Sequence, residues 1–294
     1  MTDSTRLAAD TAMGAVTLDV ADLDAMTAYY RDGVGLSVLS AEPARDGAPP
    51  TTSLGRGIHP LVVLRHAPAL RHAGPREAGL FHTAILFETA GALAAAVAAV
   101  AQRYPGTFTG SSDHLVSEAF YFDDPEGNGV ELYLDRERSA WSWTHGQVEM
   151  STLFLDPNDF LQRHLDEQAI ASHGSAPATV GHVHLSVGDV DTARRFYVDE
   201  LGFDQTTSLG GQALFVSAGG YHHHMAMNVW RSRGAGRRQA ALGLGRVDIV
   251  LPDAEALGAV DERLRHYGHA VRDDGAALGV DDPWGNALRL SAGR

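Results

Sequence analysis

The segment GAVTLDVADLD at residues 14–24 recurs as GHVHLSVGDVD at residues 181–191. In both copies apolar residues alternate with other residues, which is typical of a β-strand that buries one face. Aspartates, which are favoured helix N-caps, follow each strand. The copies continue in step to a glycine, Gly35 in the first and Gly202 in the second. We therefore predict that each half of the chain opens with a strand and a helix that ends at a glycine.

A second repeat closes each half of the chain. The segment DPEGNGVEL at residues 124–132 recurs as DPWGNALRL at residues 282–290. Asp-Pro and Gly-Asn predict a tight turn that leads into a final strand. Between these ends, each half has room for one more strand followed by a helix. The helical patterns lie at residues 90–101 and 253–266. The sequence thus predicts four modules, two in each half.

Four such βαβββ modules resemble the vicinal-oxygen-chelate superfamily of glyoxalases, bleomycin-resistance proteins and extradiol dioxygenases. The resemblance implies an α+β fold in which the four modules form two open, eight-stranded, mixed β-barrel-like domains. We expect a first domain at residues 11–135 (modules one and two), an ordered linker at 136–178 and a second domain at 179–292 (modules three and four). The chain is most similar to two-domain bacterial catechol 2,3-dioxygenase-like proteins, which carry the AGGYHHH segment found here at residues 218–224.

The extradiol ring-cleavage signature matches the end of the first half. The matching residues are His114, Phe120, Tyr121, Asp124, Pro125, Gly127 and Glu131. The chain departs from the signature at Ser112, two residues before the histidine, where the family has other residues. Seven constrained positions within eighteen residues are far more specific than an isolated short motif.

The resemblance implies a metal centre at His82, His182 and Glu131. Family ligands lie on the first and last strands of a module, and in fused glyoxalases the second module pairs with the third. This pairing would bring together two histidines and one carboxylate, the set expected of a non-heme Fe(II) oxygenase. Fe(II) is therefore the expected cofactor, with Mn(II) left open. The corresponding places in modules one and four hold residues that bind no cation: Ala15, Arg246 and Arg289.

The resemblance also implies three catalytic residues around this centre. His223 lies three residues before an alanine on a late strand of its module, where the extradiol enzymes carry an acid–base histidine. Because adjacent strand residues face opposite ways, its neighbours His222 and His224 stay as alternatives by one register step. His114 and Tyr121 are expected to hydrogen-bond substrate oxygens or to orient the bound substrate.

We consequently expect an Fe(II)-dependent extradiol dioxygenase that acts on a catechol-type aromatic with O2. One alternative is a glyoxalase-type isomerase or thiol transferase, which usually employs four protein ligands; here the fourth place falls near residues 225–228, which are apolar or amide. The other alternative is a non-catalytic protein that binds an aromatic ligand. Proteins of that kind commonly lose the metal ligands.

Composition excludes several other classes of function. The formal net charge of -14 argues against a nucleic-acid partner. The absence of cysteine excludes disulfides and thiolate metal sites. No apolar run reaches the roughly 18 residues that a membrane span needs, and the N-terminal sequence lacks the pattern of a signal peptide. We expect a cytoplasmic protein whose partners are a small aromatic substrate and O2, with a homo-oligomer left open.

Overall fold

A computed structural model describes residues 5–293 of the chain. The first four residues, part of the N-terminal segment for which no signal peptide is expected, lie outside the described residues. The α-helices are α1 (Leu23–Ala28), α2 (Ala90–Arg103), α3 (Pro157–His164), α4 (Glu167–Ser172), α5 (Val190–Arg194) and α6 (Ala254–His266). None of the helices within this range has the length and apolar character that crossing a bilayer requires.

Two large mixed sheets carry the fold. The first contains β1 (Ala12–Val20), β2 (Ser37–Glu42), β3 (Thr51–Arg56), β4 (His59–His66), β16 (Gly243–Leu251), β17 (Arg272–Asp273), β18 (Ala277–Asp281) and β19 (Ala287–Ala292). The second contains β5 (Gly79–Phe87), β6 (Phe108–Asp113), β7 (Ser117–Asp123), β8 (Gly129–Asp135), β11 (Leu153–Phe154), β12 (Ala178–Ser186), β13 (Asp204–Ser208), β14 (Ala213–Ser217) and β15 (Met225–Asn228). A two-stranded ribbon joins β9 (Trp143–Thr144) to β10 (Gln147–Val148).

The strand order confirms the predicted α+β class with open sheets. The first sheet runs β17-β18-β19-β16-β1-β4-β3-β2, and the second runs β11-β6-β7-β8-β5-β12-β15-β14-β13. Neither order returns to its starting strand, so neither sheet closes into a barrel. The second sheet has nine strands, one more than predicted, because the short linker strand β11 pairs with β6.

Each of the four modules has the predicted βαβββ order, and the sheets pair them across the two halves of the chain. Modules one and four form the first sheet, and modules two and three form the second. The second sheet is joined at its centre by antiparallel pairing of β5 with β12. The predicted pairing of module two with module three is therefore confirmed. The domain bounds 11–135, 136–178 and 179–292 remain a prediction, since both sheets draw strands from both halves.

The repeated openings fold alike. Asp22 caps α1 by accepting a hydrogen bond from the backbone of Ala25, and Asp189 caps α5 in the same way. Each helix continues into a single π-helical turn, Tyr29–Gly33 and Arg195–Glu200. The glycines predicted to end the helices follow with positive φ values of 85° and 99°, a backbone region that favours glycine.

A tyrosine from each π-helical turn joins the opening of each half to its closing turn. The Tyr30 hydroxyl donates to Asp124 at 3.1 Å, and the Tyr197 hydroxyl donates to Asp282 at 3.1 Å. Both aspartates are buried and also accept backbone N–H groups of the Asp-Pro-x-Gly-Asn turn. Burial raises the pKa of Asp124 to about 6, although hydrogen bonds from Asn128 act in the opposite direction.

The segment that connects the two halves packs against both of them. Residues 136–178 contain α3, α4 and three short strands, and Trp141 packs in a small cluster with Val116 of the first half and Tyr221 of the second. The arginine-rich loop at residues 231–239 lies between β15 and β16 and so joins two modules.

Candidate metal centre

Three buried side chains from three central strands converge at one point in the second sheet. His82 lies on β5, Glu131 on β8 and His182 on β12, and none is more than 6% exposed. The His82 Nε2 and His182 Nε2 atoms lie 2.9 and 3.1 Å from the same oxygen, Glu131 Oε2. The potential ligand atoms lie within 4.8 Å of one another, and no other such group of three occurs within residues 5–293.

The strand register explains why these side chains meet. On β5, His82 and Ala84 point to the same face, because side chains alternate along a strand. Ala84 is paired with Glu131 of β8 on one side and with His182 of β12 on the other. Glu131 and His182 thus lie on opposite sides of β5. The small side chain of Ala84 leaves the space between them open.

The donor set suits a divalent cation. Burial lowers the pKa of His182 to about 4, so its imidazole is neutral near pH 7 and keeps a lone pair for a metal. Burial raises the pKa of Glu131, but the facing imidazoles of His182 and His82 outweigh it and bring the pKa well below its usual range. The buried His82 Nε2 has no hydrogen bond of acceptable geometry among the described residues. A cation between these three groups would satisfy this nitrogen and offset the carboxylate charge.

A fourth ligand position is filled by an alanine. β12 pairs in parallel with β15, as β5 pairs with β8, and the residue opposite His184 is Ala226. Ala226 therefore has the same position beside His184 that Glu131 has beside Ala84. Ala226 is completely buried and packs with Ala213 and Phe215. The position therefore offers no atom to a metal.

The predicted catalytic residues lie in the cavity beside this cluster. The cavity has a volume of about 990 Å³, and its lining includes His114, Tyr121 and His223 together with all three candidate ligands. Tyr121 is paired with Glu131 across β7 and β8. Its hydroxyl lies 2.7 Å from Nε2 of His114, whose Nδ1 lies 2.7 Å from the carbonyl oxygen of Ser151.

The histidine run 222–224 departs from the expectation that it lies on a strand. It precedes β15 in a loop that begins with Gly219 and Gly220, both at positive φ. Face alternation therefore does not separate the three rings. Of the three, His223 lines the cavity, with its ring centroid 4.1 Å from that of His182. Burial lowers the pKa of His223 well below its ordinary value.

The other two histidines of the run do not line the cavity. His222 is fully buried, and its Nε2 lies 2.8 Å from Asp135. His224 accepts a hydrogen bond on Nδ1 from the backbone of Ala218. The structure thus places His223, and neither neighbour, in the cavity lining beside the candidate metal centre.

His184 is a cavity residue that the sequence reasoning did not single out. It lies two residues beyond His182 on β12, and its ring centroid is 4.9 Å from that of His82. The side-chain nitrogen of Asn228 lies 3.0 Å from its Nε2. The period-two alternation of β12 would have placed it on the same face as His182.

Within the described part of the chain, the equivalent region of the first sheet contains no such group of potential ligands. Ala15 is buried without a polar side chain, and Arg246 is paired with Asp248 on its own strand at 2.6 Å. Arg289 lies on β19. Arginine cannot act as a metal ligand in its charged form.

Comparison with known proteins assigns the class. The sequence profile of the Glyoxalase/Bleomycin resistance protein/Dioxygenase superfamily matches residues 12–132 and 179–290. The chain belongs to this superfamily.

A relative with a more specific name is the catechol-2,3-dioxygenase of Bacillus subtilis (strain 168), which is 36% identical over 278 residues, 93% of this chain and 94% of that protein. Together with the family match, this relative supports an enzyme of the dioxygenase kind.

Solved structures agree on the fold. A structure from Bacillus subtilis has a TM-score of 0.65 at 14% identity and covers 98% of this chain and 86% of its own. Glyoxalase I from Zea mays has a TM-score of 0.58 at 17% identity, covering 96% of this chain and 92% of that chain. At these identities the likeness shows the fold alone.

Proposed function

We propose that this protein is an Fe(II)-dependent extradiol dioxygenase that opens the ring of a catechol-type substrate with O2. The observation that carries the proposal is a buried group of two histidines and one glutamate whose fourth position is Ala226. Three ligands on one side leave several coordination positions free, as a reaction that brings together a catechol and O2 requires. The name of the Bacillus subtilis relative supports the same chemistry.

His82, His182 and Glu131 would hold the metal. Bound Fe(II), or Mn(II) in its place, would supply adjacent open coordination positions and the electron transfer that the reaction of a catechol with O2 requires. Both atoms of O2 enter one ring-opened product, so the reaction consumes no further reductant.

Other cavity residues would act directly on the substrate. His223 takes a proton from a catechol hydroxyl and later returns one, because its ring reaches the cavity beside His182. Tyr121 accepts a hydrogen bond from a substrate hydroxyl, because it donates its own proton to Nε2 of His114, whose Nδ1 donates to the Ser151 carbonyl. Phe81, Phe215 and Trp230 give the cavity aromatic walls that suit a flat ring.

The test is oxygen uptake by protein loaded anaerobically with Fe(II), measured across a panel of catechols and hydroquinones. We expect uptake of one O2 per ring opened, with a new absorption band from the product. His223→Ala should lower kcat about 100-fold or more while the iron remains bound, as loss of an acid–base residue does. Exposed His59 provides the matched control, and His59→Ala should leave kcat unchanged.

Two results would contradict the proposal. Bound metal without oxygen uptake on any catechol would favour a glyoxalase-type isomerase, and failure to bind metal would favour a protein that only binds an aromatic ligand. The cytoplasmic location and a homo-oligomeric state remain predictions from the sequence.

A further inference from the structure

A continuous chain of buried and partly buried hydrogen bonds runs behind the candidate metal centre. Asp135 lies at the end of β8, with its side chain 21% exposed, and its Oδ1 lies 2.8 Å from Nε2 of His222. His222 Nδ1 in turn lies 2.7 Å from Nδ1 of His223, the ring that lines the cavity. Neither Asp135 nor His222 belongs to the cavity lining, so they do not touch a substrate.

The direction of these bonds follows from the carboxylate. Tyr221 donates its hydroxyl to Asp135 Oδ2 at 2.8 Å, and Asp135 Oδ1 remains for His222. A carboxylate only accepts, so His222 must carry its proton on Nε2. With that proton on Nε2, the Nδ1 atom of His222 is the acceptor, and the proton in the bond to His223 lies on His223 Nδ1. This leaves the lone pair of His223 on Nε2.

The burial of His222 needs a reason of its own. Its side chain is 0% exposed, and an imidazole in an apolar place costs free energy unless its nitrogens are paired. Both nitrogens are paired here, one to Asp135 and one to His223. Tyr133 extends the same network, with its hydroxyl 2.7 Å from that of Tyr221 and its ring packed on His182.

We propose that Asp135 and His222 are positioning residues that fix the orientation and the tautomer of His223, so that its Nε2 lone pair is directed at the substrate. The inference rests on the proposed function, in which His223 accepts a proton from a catechol hydroxyl. A base with its proton on the wrong nitrogen presents a donor where an acceptor is needed.

The test uses three variants of the full-length protein. His222→Gln keeps an amide that reaches Asp135 and removes the contact with His223. His222→Asn places its amide oxygen near the former Nδ1 and keeps that contact. His224→Gln is the matched control, since His224 is the neighbouring, partly buried histidine and, among the described residues, its ring is hydrogen-bonded to the backbone of Ala218 and not to Asp135 or His223.

Two readouts are combined. In the iron-loaded enzyme, we expect His222→Gln to lower kcat about 10- to 100-fold, with KM for the catechol within about threefold and the iron content unchanged. His222→Asn should recover part of the loss, and His224→Gln should stay within about twofold of the wild type. In the metal-free protein, the ¹⁵N shifts of the His223 ring should show the proton on Nδ1 in the wild type and lose that preference in His222→Gln.

The ¹⁵N shifts distinguish failure of the proposed dioxygenase activity from failure of the proposed positioning of His223. A wild-type protein that consumes no O2 but holds the His223 proton on Nδ1 would overturn the dioxygenase and leave the positioning in place. A His223 proton on Nε2 in the wild type would overturn the positioning whatever the activity. Unchanged kcat in His222→Gln would overturn it as well.

Discussion

Gly181 shows how one residue supports the candidate metal centre without touching the metal. A Cβ at this position would lie 1.7 Å from the Tyr133 hydroxyl, and Tyr133 packs its ring on His182 at 4.9 Å between centroids. Only glycine lets Tyr133 lie beside the ligand. The residue belongs to the repeat that identified the fold, so the repeat also marks a contact of the site.

We predict that Gly181→Ala displaces Tyr133 and loosens His182. The free energy of unfolding should fall by about 1–3 kcal/mol, the usual cost of overpacking. Metal affinity should fall about 10-fold or more, as it does when a group that orients a ligand is lost. Chemical denaturation and metal titration measure the two effects.

The matched control is Gly258→Ala within α6, where an added Cβ meets nothing within 4 Å. This change should raise stability by about 0.5–1 kcal/mol, because alanine favours a helix. Equal effects from the two substitutions would contradict the account of Gly181.

His224 gives a prediction about pH. Burial lowers the pKa of His224 to about 3, below the ordinary value near 6.5 that the unfolded chain has. The unfolded state therefore binds a proton first as the pH falls, and the stability that neutral His224 contributes is present above pH 6.5 and is lost on acidification. Between about pH 5.5 and 4 this loss amounts to about 1.4 kcal/mol per pH unit.

In His224→Asn, the free energy of unfolding of the metal-free protein should therefore fall less steeply on acidification than in the wild type. The difference in slope should be about 1.4 kcal/mol per pH unit between about pH 5.5 and 4. Urea denaturation at a series of pH values gives the comparison, and His59→Asn, a change at an exposed histidine, should follow the wild type. Parallel stability curves for wild type and His224→Asn would contradict the burial of a neutral imidazole.

At the scale of elements, one tyrosine–aspartate hydrogen bond in each half connects the first helix of that half to its closing turn. Tyr30 donates to Asp124 and Tyr197 donates to Asp282, with the same geometry in both halves. We predict that Tyr30→Phe and Tyr197→Phe each lower the free energy of unfolding by about 1–2 kcal/mol, because each leaves a buried carboxylate short of a hydrogen bond.

Tyr267, which is 51% exposed on the far end of α6, is the control for this pair. Tyr267→Phe should change stability by less than about 0.5 kcal/mol. A similar change in the free energy of unfolding for all three substitutions would show that the two buried hydrogen bonds do not stabilise the fold. Thermal or urea unfolding of the metal-free protein measures each change.

The elements were predictable to different degrees. The two repeats, with the strand and helix patterns between them, predicted all four modules, since alternation, aspartate caps and Asp-Pro turns are local features of the sequence. The loop conformation of His222–His224 was not predictable, because glycines at positive φ break the strand that periodicity suggests. The ninth strand was missed for a similar reason: β11 has two residues and depends on a partner distant in sequence.

At the scale of the molecule, the candidate metal centre is a product of how the halves join. His82 and Glu131 come from the first half and His182 from the second, and the pairing of β5 with β12 brings them together. The sequence contained each ligand but no local sign of this pairing, which came from resemblance to fused glyoxalases. The family pattern did not indicate His184, although the alternation of β12 places it on the same face as His182.

This arrangement leaves the two sheets with unequal roles. The second sheet holds the cavity and its ionisable side chains, whereas the corresponding residues of the first include buried Ala15 and the internally paired Arg246. One metal ion per chain is therefore expected, and it should lie between strands from both halves.

The most direct test of this claim is anomalous diffraction at the iron absorption edge, from crystals of protein loaded anaerobically with Fe(II). We expect a single strong peak per chain, about 2.0–2.2 Å from Nε2 of His82, Nε2 of His182 and a carboxylate oxygen of Glu131, as for metal–ligand bonds of a comparable ion. A peak at any other group of residues, or no peak in loaded protein, would contradict it.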